Sequence, residues 1–181
     1  MKNLLLIIIF AIGFTACDQP VKGRNDVVYK SAGQYNDYIV GYQTILMKNL
    51  VSLGEVAQTN LDSAYNMLDK FILDIEDKIA SIKGMPPFKG DSSLRDAAIS
   101  SFEFYKKISG NEYKQIINIR NNGGDSSEDG IAELKRIVDQ MTLEEEKFDK
   151  TFHNAQKDFA DKNHMMLGEN EIQKKIEKMK E

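Results

Sequence analysis

Residues 60–84 read NLDSAYNMLDKFILDIEDKIASIKG, and this stretch decides the fold class. Apolar side chains recur in it at steps of three and four residues, which places them on one face of an α-helix. The members of this stripe are Leu61, Ala64, Leu68, Phe71, Ile72, Ile75, Ile79 and Ile82. Thr59 or Asn60 is a good N-cap residue, and Gly84, with two prolines just beyond it, is an expected helix stop. The pattern therefore predicts an amphipathic helix from Thr59 or Asn60 to Gly84.

The segment before this helix shows the same periodicity. Its apolar residues are Tyr35, Tyr38, Ile39, Tyr42, Ile45, Leu46, Leu50 and Leu53. They predict a first helix from near Asp26 to Leu53. Gly33 and Gly41 interrupt it, and each costs up to about 1 kcal/mol relative to alanine. Gly41 would let a neighbouring helix approach closely, and Gly54 is expected to cap the C-terminus of this helix.

Two more helical segments follow the proline-containing turn. The third helix is predicted to begin at residue 91 or 92, to kink or break at Gly110-Asn111, and to end at residues 121–124. The fourth is predicted to begin within residues 126–129 and to run to about His164. Its stripe is Leu134, Ile137, Val138, Met141, Phe148, Phe152, Ala155 and Phe159. No strand pattern competes with these four helices.

Short connections determine how these helices are arranged. Four long helices joined by about six to nine residues predict antiparallel neighbours. The expected fold is therefore all-α, an up-down-up-down four-helix bundle of residues 26–167, followed by a charged helix or tail of residues 168–181. We call the end at which the chain enters the bundle the proximal end. The turns near residues 54–60 and 121–128 are expected at the opposite, distal end.

The start of the chain has a different character. Lys2 supplies a positive charge, residues 4–14 form an apolar and small-residue run, and residues 14–17 read Phe-Thr-Ala-Cys. A basic end, a short apolar core and small residues before a cut site are typical of a secretory signal peptide. The apolar run, about 11 residues, is shorter than the roughly 20 that a membrane-spanning helix needs.

The Phe-Thr-Ala-Cys sequence at residues 14–17 resembles the lipobox of bacterial lipoproteins. In that family the cysteine thiol receives a diacylglycerol, the chain is cut before the cysteine, and the new amino terminus is usually acylated. The resemblance implies a signal peptide of residues 1–16, a lipid on Cys17 and a tether of residues 17–25. It also implies membrane attachment in the bacterial cell envelope. The outer membrane or cell surface is favoured over the inner membrane, and the inner membrane stays open as an alternative because Asp18 resembles an inner-membrane retention signal of some lipoprotein sorting systems. The alternative is an ordinary signal peptide that ends near a cysteine.

Composition supports the first interpretation and narrows the classes of function. Cys17 is the only cysteine of the chain, so no internal disulfide can use it. The chain has a net charge of −4 and a pI of about 5.3, so it lacks the excess of positive charge that is typical of nucleic-acid-binding proteins. The sequence also lacks the Gly-x-Ser-x-Gly elbow of hydrolases and the glycine loop that binds phosphate. We therefore predict that the chain is not an enzyme.

Metal and cofactor motifs are incomplete. Di-iron bundles need Glu-x-x-His on two helices, but His153 and His164 both fall on the predicted fourth helix. Covalent haem needs Cys-x-x-Cys-His, which the sequence lacks. Five residues have the spacing of an EF-hand calcium loop, namely Asp125, Ser127, Asp129, Gly130 and Glu133. Arg136 stands where that loop needs a bidentate glutamate, so a helix start with acidic residues near its positive dipole end is preferred. The sequence predicts no metal and no cofactor.

A row of tyrosines is the remaining candidate site. Tyr35, Tyr38 and Tyr42 could form a platform on which a sugar or peptide stacks, and the alternative is core packing with hydroxyls at the solvent edge. Residues 35–39 read Tyr-Asn-Asp-Tyr-Ile and resemble the start of helical surface lipoproteins. The resulting hypothesis is a lipid-anchored, non-catalytic bundle that binds an envelope or extracellular protein. The alternatives are a small-ligand pocket opened by Gly41 and Gly110, and a structural spacer or assembly subunit whose tail from Glu169 docks a partner helix.

Overall fold

The computed structural model describes residues 21–168. The described part of the chain holds two short strands and five α-helices. These are β1 Val21–Lys22, β2 Val28–Tyr29, α1 Ala32–Thr59, α2 Leu61–Lys83, α3 Ser93–Gly110, α4 Glu112–Asn121 and α5 Glu128–Lys162. Helices α3 and α4 form one arm that is broken at Asn111, as the Gly110-Asn111 signal predicts. The all-α, up-down-up-down four-helix bundle is confirmed, while the predicted signal peptide, Cys17 and most of the C-terminal tail lie outside the described residues.

The predicted start of the first helix is wrong, and so is the extent of the tether. Strand β1 pairs antiparallel with β2, and a single turn of 3₁₀ helix, Arg24–Asp26, links them. Tyr29 of this hairpin is only 2% exposed and packs edge-on against Tyr35 at 5.2 Å between ring centroids. Helix α1 begins after Ser31, whose hydroxyl accepts a hydrogen bond from the Gln34 backbone N–H at 3.2 Å. Residues 21–25 therefore belong to the folded unit, because the burial of Tyr29 ties them to the core.

The predicted cap at Gly54 is also wrong. Helix α1 continues to Thr59, and Asn60 alone joins it to α2. The Asn60 side chain caps α2 by accepting a hydrogen bond from the Ser63 backbone N–H at 2.8 Å. A glycine inside a helix costs about 1 kcal/mol. The extra turn offsets this cost because its apolar residues, Val56 and Ala57, pack against a buried cluster at the distal end.

The other predicted helix ends agree with the structure within about three residues. Helix α2 ends before Gly84, and the turn after α4 uses Gly123 in the left-handed region at φ 73°. Ser127 caps α5 by accepting a hydrogen bond from the Gly130 backbone N–H at 3.2 Å. Gly124 and Gly130 approach so closely in this turn that a Cβ on Gly130 would overlap the Gly124 carbonyl oxygen. Gly41 has no such role, because nothing lies within 4 Å of a Cβ built there.

The core has two parts that follow the length of the bundle. A large cluster fills the proximal and middle levels, and its aromatic members are Tyr29, Tyr35, Phe71, Phe88, Phe102, Phe104, Tyr105, Phe152 and Phe159. A smaller distal cluster holds Leu53, Ala64, Leu68 and Ile117. Helix α2 packs against both α1 and α3, and α3 packs against α5. The contact between α1 and α5, which would close the ring of helices, is much less extensive.

Candidate functional site

Helices α1 and α5 meet at the proximal end. The ring of Tyr35 stacks on that of Phe159 with centroids 5.6 Å apart and an interplanar angle of 26°. One turn away, the Gln156 side-chain amide donates a hydrogen bond to the Asn36 side-chain oxygen at 2.9 Å. These contacts join the first turns of α1 to the last turns of α5. The two helices therefore run in opposite directions.

A cavity of about 190 Å³ opens between the same two helices further toward the distal end. We call it the α1–α5 cleft. Its lining residues are Leu50 of α1, Tyr105 and Ile108 of α3, Tyr113 and Ile116 of α4, and Val138, Met141, Thr142 and Glu145 of α5. Leu50 lies 18 residues after Ala32, which is about 27 Å along the helix axis. The cleft is therefore well removed from the proximal end.

The break between α3 and α4 positions the floor of the cleft. Tyr105 and Ile108 come before the break, and Tyr113 and Ile116 come after it. Tyr113 packs against both the large core cluster and the distal cluster, so it spans the level at which the two clusters separate. The predicted irregularity at Gly110 thus lies next to a cavity, whereas Gly41 lies in an exposed part of α1 and lines neither of the two cavities described here.

The wall of the cleft includes one acidic side chain, Glu145. Burial raises the pKa of Tyr113 to about 12, and the carboxylate of Glu145 contributes to the increase. Burial also raises the pKa of Tyr105, with further contributions from the carboxylates of Asp149 and Glu145. The Tyr105 hydroxyl lies 3.4 Å from Asp149 Oδ1, to which it donates, and 3.9 Å from the sulfur of Met47. Both tyrosines are therefore neutral hydrogen-bond donors at physiological pH.

One rim of the cleft is an exposed apolar strip on α5. Ile131 is 53% exposed and Val138 is 48% exposed. Ile131, Val138 and Glu145 follow one another at seven-residue steps, so they lie along one face of the helix. Leu143 is 70% exposed but is rotated away from this strip by the helical period. The strip thus continues the apolar lining of the cleft onto the surface of α5.

A second cavity of about 270 Å³ lies between α1 and α2. Polar groups bridge it: the Asn49 side-chain amide donates to Asp74 Oδ2 at 3.2 Å, and Lys78 pairs with the same carboxylate. The lining of this cavity contains one acidic residue, Asp74, and one basic residue, Lys70, and Lys78 adds a second positive charge beside Asp74. The α1–α5 cleft is the better candidate site, because its lining is aromatic and apolar with one acidic side chain.

The predicted tyrosine row is brought together, but as part of the core. Tyr35 has 0% exposure, and its hydroxyl donates a hydrogen bond to the Pro86 carbonyl oxygen at 3.0 Å. The hydroxyls of Tyr38 and Tyr42 lie 2.8 Å apart, and their rings contact each other with centroids 4.7 Å apart. Tyr29 of the hairpin covers the row and lies edge-on to Tyr38. The tyrosine row therefore packs against the hairpin through Tyr29, and Tyr35 cannot reach a ligand in solution.

The other sequence candidates are dispersed. Both histidines, His153 and His164, are exposed. Among the residues with partial calcium-loop spacing, Glu133 lies within α5, and its carboxylate accepts two hydrogen bonds of 2.8 Å from the Arg136 guanidinium. Glu133 is therefore already paired with a cation. Within residues 21–168, no group of three or more His, Cys, Asp or Glu is arranged to hold a metal ion.

Sequence reasoning missed the residues that form the cleft. The candidate residues named from the sequence include none of Tyr105, Tyr113 and Glu145. One local signal was present. Glu145 stands four residues after Met141 and three before Phe148, so a charge occupies a position of the apolar stripe. Such a break in the stripe indicates a place where the helix face is not covered by a neighbour.

Comparisons with protein-family models, with curated proteins and with solved structures find no match to this chain. A search of the helices between residues 21 and 168 finds none with the length and apolar character needed to cross a membrane.

Proposed function

We propose that this chain is a lipid-anchored protein of the bacterial cell envelope, that it binds another protein rather than catalysing a reaction, and that the α1–α5 cleft is its binding surface. The observation that carries this proposal is the cleft itself, a largely apolar cavity whose lining includes exposed Val138; exposed Ile131 lies two turns away on the same face of α5. An apolar groove between two helices is a recurring site for an amphipathic partner helix.

The position of the cleft is consistent with attachment through Cys17. Val21 of the hairpin is four residues after Cys17, so a lipid on Cys17 would hold the proximal end within about 14 Å of the bilayer. The cleft would then stand on the order of 30–40 Å from the membrane. A partner in the surrounding compartment could reach it without competing with the lipid surface.

The anchor is tested chemically. Mass spectrometry of mature protein from its native envelope should find a chain that begins at Cys17 and carries a diacylglycerol on the thiol. A Cys17→Ser variant should leave the membrane fraction. Mature material with an unmodified thiol, or full retention of the variant in the membrane, contradicts the anchor.

The binding surface is tested by affinity capture of the intact lipidated protein from native envelopes. Val138→Arg places a charge on the rim of the cleft. The partner that co-purifies with the wild type should no longer co-purify with this variant. Leu143→Arg is the matched control, because Leu143 is an apolar residue that is exposed on another face of α5, to 70% compared with 48% for Val138. Equal recovery of the partner by both variants would exclude the cleft as its binding surface.

A small ligand is the second candidate for the same cleft. The cavity volume of about 190 Å³ favours it, since a cavity of about 150 Å³ already accommodates a molecule of the size of benzene. In that case extraction of the purified protein with organic solvent should release a compound that is absent from the Val138→Arg variant and present in the Leu143→Arg variant.

A further inference from the structure

We infer that the proximal end of the bundle is a docking surface for anionic lipid headgroups, on which the bundle stands with its long axis pointing away from the membrane. The inference rests on the proposed function in one respect, namely that a lipid on Cys17 holds this end near a bilayer. It adds the chemistry of the membrane surface that this end contacts and the orientation in which the α1–α5 cleft is presented.

Three segments form the outer surface of the proximal end, namely residues 21–30 with the hairpin, residues 84–92 in the turn between α2 and α3, and residues 162–168 at the end of α5. The hairpin lies close against the turn, because a Cβ built on Gly84 would be 2.7 Å from the Cβ of Arg24. The turn is joined to the end of α5 by the hydrogen bond from the Lys162 ammonium to the Asp91 carboxylate. The three segments therefore form one surface.

The charge of this surface is opposite in sign to that of the whole chain. The three segments contain five cationic side chains and two carboxylates, hence a net charge of +3, whereas the full chain has a net charge of −4. The cations are Lys22, Arg24, Lys30, Lys89 and Lys162, and the carboxylates are those of Asp26 and Asp91. Within residues 21–168, neither Arg24 nor Lys30 forms an ion pair. These two charges are therefore available to a partner.

The distal end has a negative charge. Residues 54–61 and 118–130, which form its turns, contain one cation and four carboxylates, hence a net charge of −3. The cation is Arg120, and the carboxylates are those of Glu55, Asp125, Glu128 and Asp129. An anionic lipid surface attracts lysine and arginine side chains that lie close to it. The charge difference along the bundle therefore turns the proximal end toward anionic lipid and the distal end away from it.

The proximal surface also exposes apolar side chains. Val28 of the hairpin is 40% exposed, and Met166 and Leu167 are 96% and 36% exposed. The chain is fixed just before them, because the Met165 backbone N–H donates to the Ala160 carbonyl oxygen at 3.0 Å and the Met165 side chain packs against the core. A hydrogen bond of this kind closes a helix end. Apolar groups with neighbouring basic residues are the features by which proteins bind the membrane interface.

Tryptophan fluorescence tests the docking surface, because the chain contains no tryptophan. Met166→Trp places one reporter at the proximal end, and Leu143→Trp places a matched reporter at an exposed apolar position of α5 away from that end. Each mature, lipidated variant is reconstituted into vesicles of brominated phosphatidylcholine, with or without phosphatidylglycerol. Brominated chains quench a tryptophan that enters the interface. With phosphatidylglycerol present, quenching should be severalfold stronger at residue 166 than at residue 143.

The role of charge is tested in the Met166→Trp chain by neutralising two cations. At roughly fivefold for each cation removed, Arg24→Gln together with Lys30→Gln should lower the ratio of docked to undocked protein about 30-fold, as read from the quenched fraction. The matched control is Lys48→Gln together with Lys70→Gln. Both of these lysines are exposed on the bundle away from its proximal end, and neither forms an ion pair within residues 21–168. Screening over that distance should keep the ratio within about twofold of the parent.

Three results would overturn the inference: equal quenching at residues 166 and 143, quenching at residue 166 that does not depend on phosphatidylglycerol, or no effect of neutralising Arg24 and Lys30. A protein that covers the proximal end in place of lipid would give the first of these results. The proposed anchor has a separate readout, since mass spectrometry of the same material shows whether Cys17 carries the lipid. An unmodified thiol contradicts the anchor, and quenching of that protein by preformed vesicles still decides the docking surface.

Discussion

Replacing Asp91 by asparagine should weaken the bundle at neutral pH and have much less effect in acid. Asp91 lies in the turn between α2 and α3, and its carboxylate accepts hydrogen bonds from the Lys162 ammonium at 2.7 Å and from the Ser93 backbone N–H at 2.9 Å. Lys162 is the last residue of α5, so this carboxylate ties the end of the longest helix to the proximal turn. The bond from Lys162 and those from Ser93 lower the pKa of Asp91 from 3.8 to about 2.

The lowered pKa determines both the sign and the size of the effect. A carboxyl group whose pKa is lower in the folded than in the unfolded chain stabilises the fold above its unfolded pKa. This contribution disappears as the pH falls through the folded pKa, hence between about pH 4 and pH 2 for Asp91. At about 1.4 kcal/mol for each pKa unit, the upper limit is about 2.4 kcal/mol. Solvent screening of the exposed Lys162 reduces the expected value to about 1–2 kcal/mol at pH 7 and to roughly a third of that at about pH 2.5.

Urea unfolding followed by far-UV circular dichroism measures this difference at each pH. The control is Asp161→Asn, since Asp161 pairs with Lys157 at 3.0 Å and both side chains are largely exposed. The control should change the free energy of unfolding by less than about 0.5 kcal/mol at either pH. If Asp91→Asn leaves the free energy of unfolding unchanged at neutral pH, or lowers it equally at both pH values, the ionised Asp91 carboxylate does not stabilise the bundle.

Three further substitutions test the packing. Phe159→Ala removes a fully buried ring and should lower the free energy of unfolding by about 3–5 kcal/mol in urea titrations, and a loss below about 1 kcal/mol would contradict its place in the core. Gly41→Ala should stabilise the protein by up to about 1 kcal/mol, because the new Cβ meets no atom; a lower melting temperature would show that a neighbour packs there. Gly130→Ala should instead destabilise by about 1–3 kcal/mol through overlap with Gly124, and thermal unfolding that matches the wild type would disprove that close approach.

Local signals explain which parts of the fold could be predicted. Helix α2 was predicted to lie between Thr59 or Asn60 and Gly84, and the structure places it at Leu61–Lys83. Its stripe, its cap and its stop are all encoded within a few residues of where they act, so neighbouring elements do not need to be known. The break at Gly110-Asn111 is of the same kind, because glycine and asparagine weaken a helix wherever they stand.

Packing overrode the local signals at two positions. Gly54 is a fair helix stop in isolation, yet α1 continues past it because Val56 and Ala57 find apolar neighbours at the distal end. Residues 21–29 form a hairpin rather than a tether and a first turn, because the Tyr29 ring reaches the aromatic core. In both cases the decisive contact joins residues far apart in the chain, and a sequence pattern of short range cannot register it.

The candidate site was the least predictable feature. The tyrosines of α1 are a candidate site in the sequence because three of them share a helix face, but Tyr35 is buried in the structure. The α1–α5 cleft arises because the two helices touch near Asn36 and Gln156 and leave a cavity between them at the level of Leu50. The apolar stripes of α1 and α5 do not indicate where the two helices separate, since each helix presents apolar residues along its whole length.

Sequence alone therefore determined that the described chain is helical, where most of its helices begin and end, and which face of each is apolar. These properties follow from the 3.6-residue period and from caps, which act over distances of a few residues. Tertiary structure decided which apolar faces are covered and which remain open. Coverage depends on how closely neighbouring helices approach at each level of the bundle, and that distance results from the packing of every side chain between them.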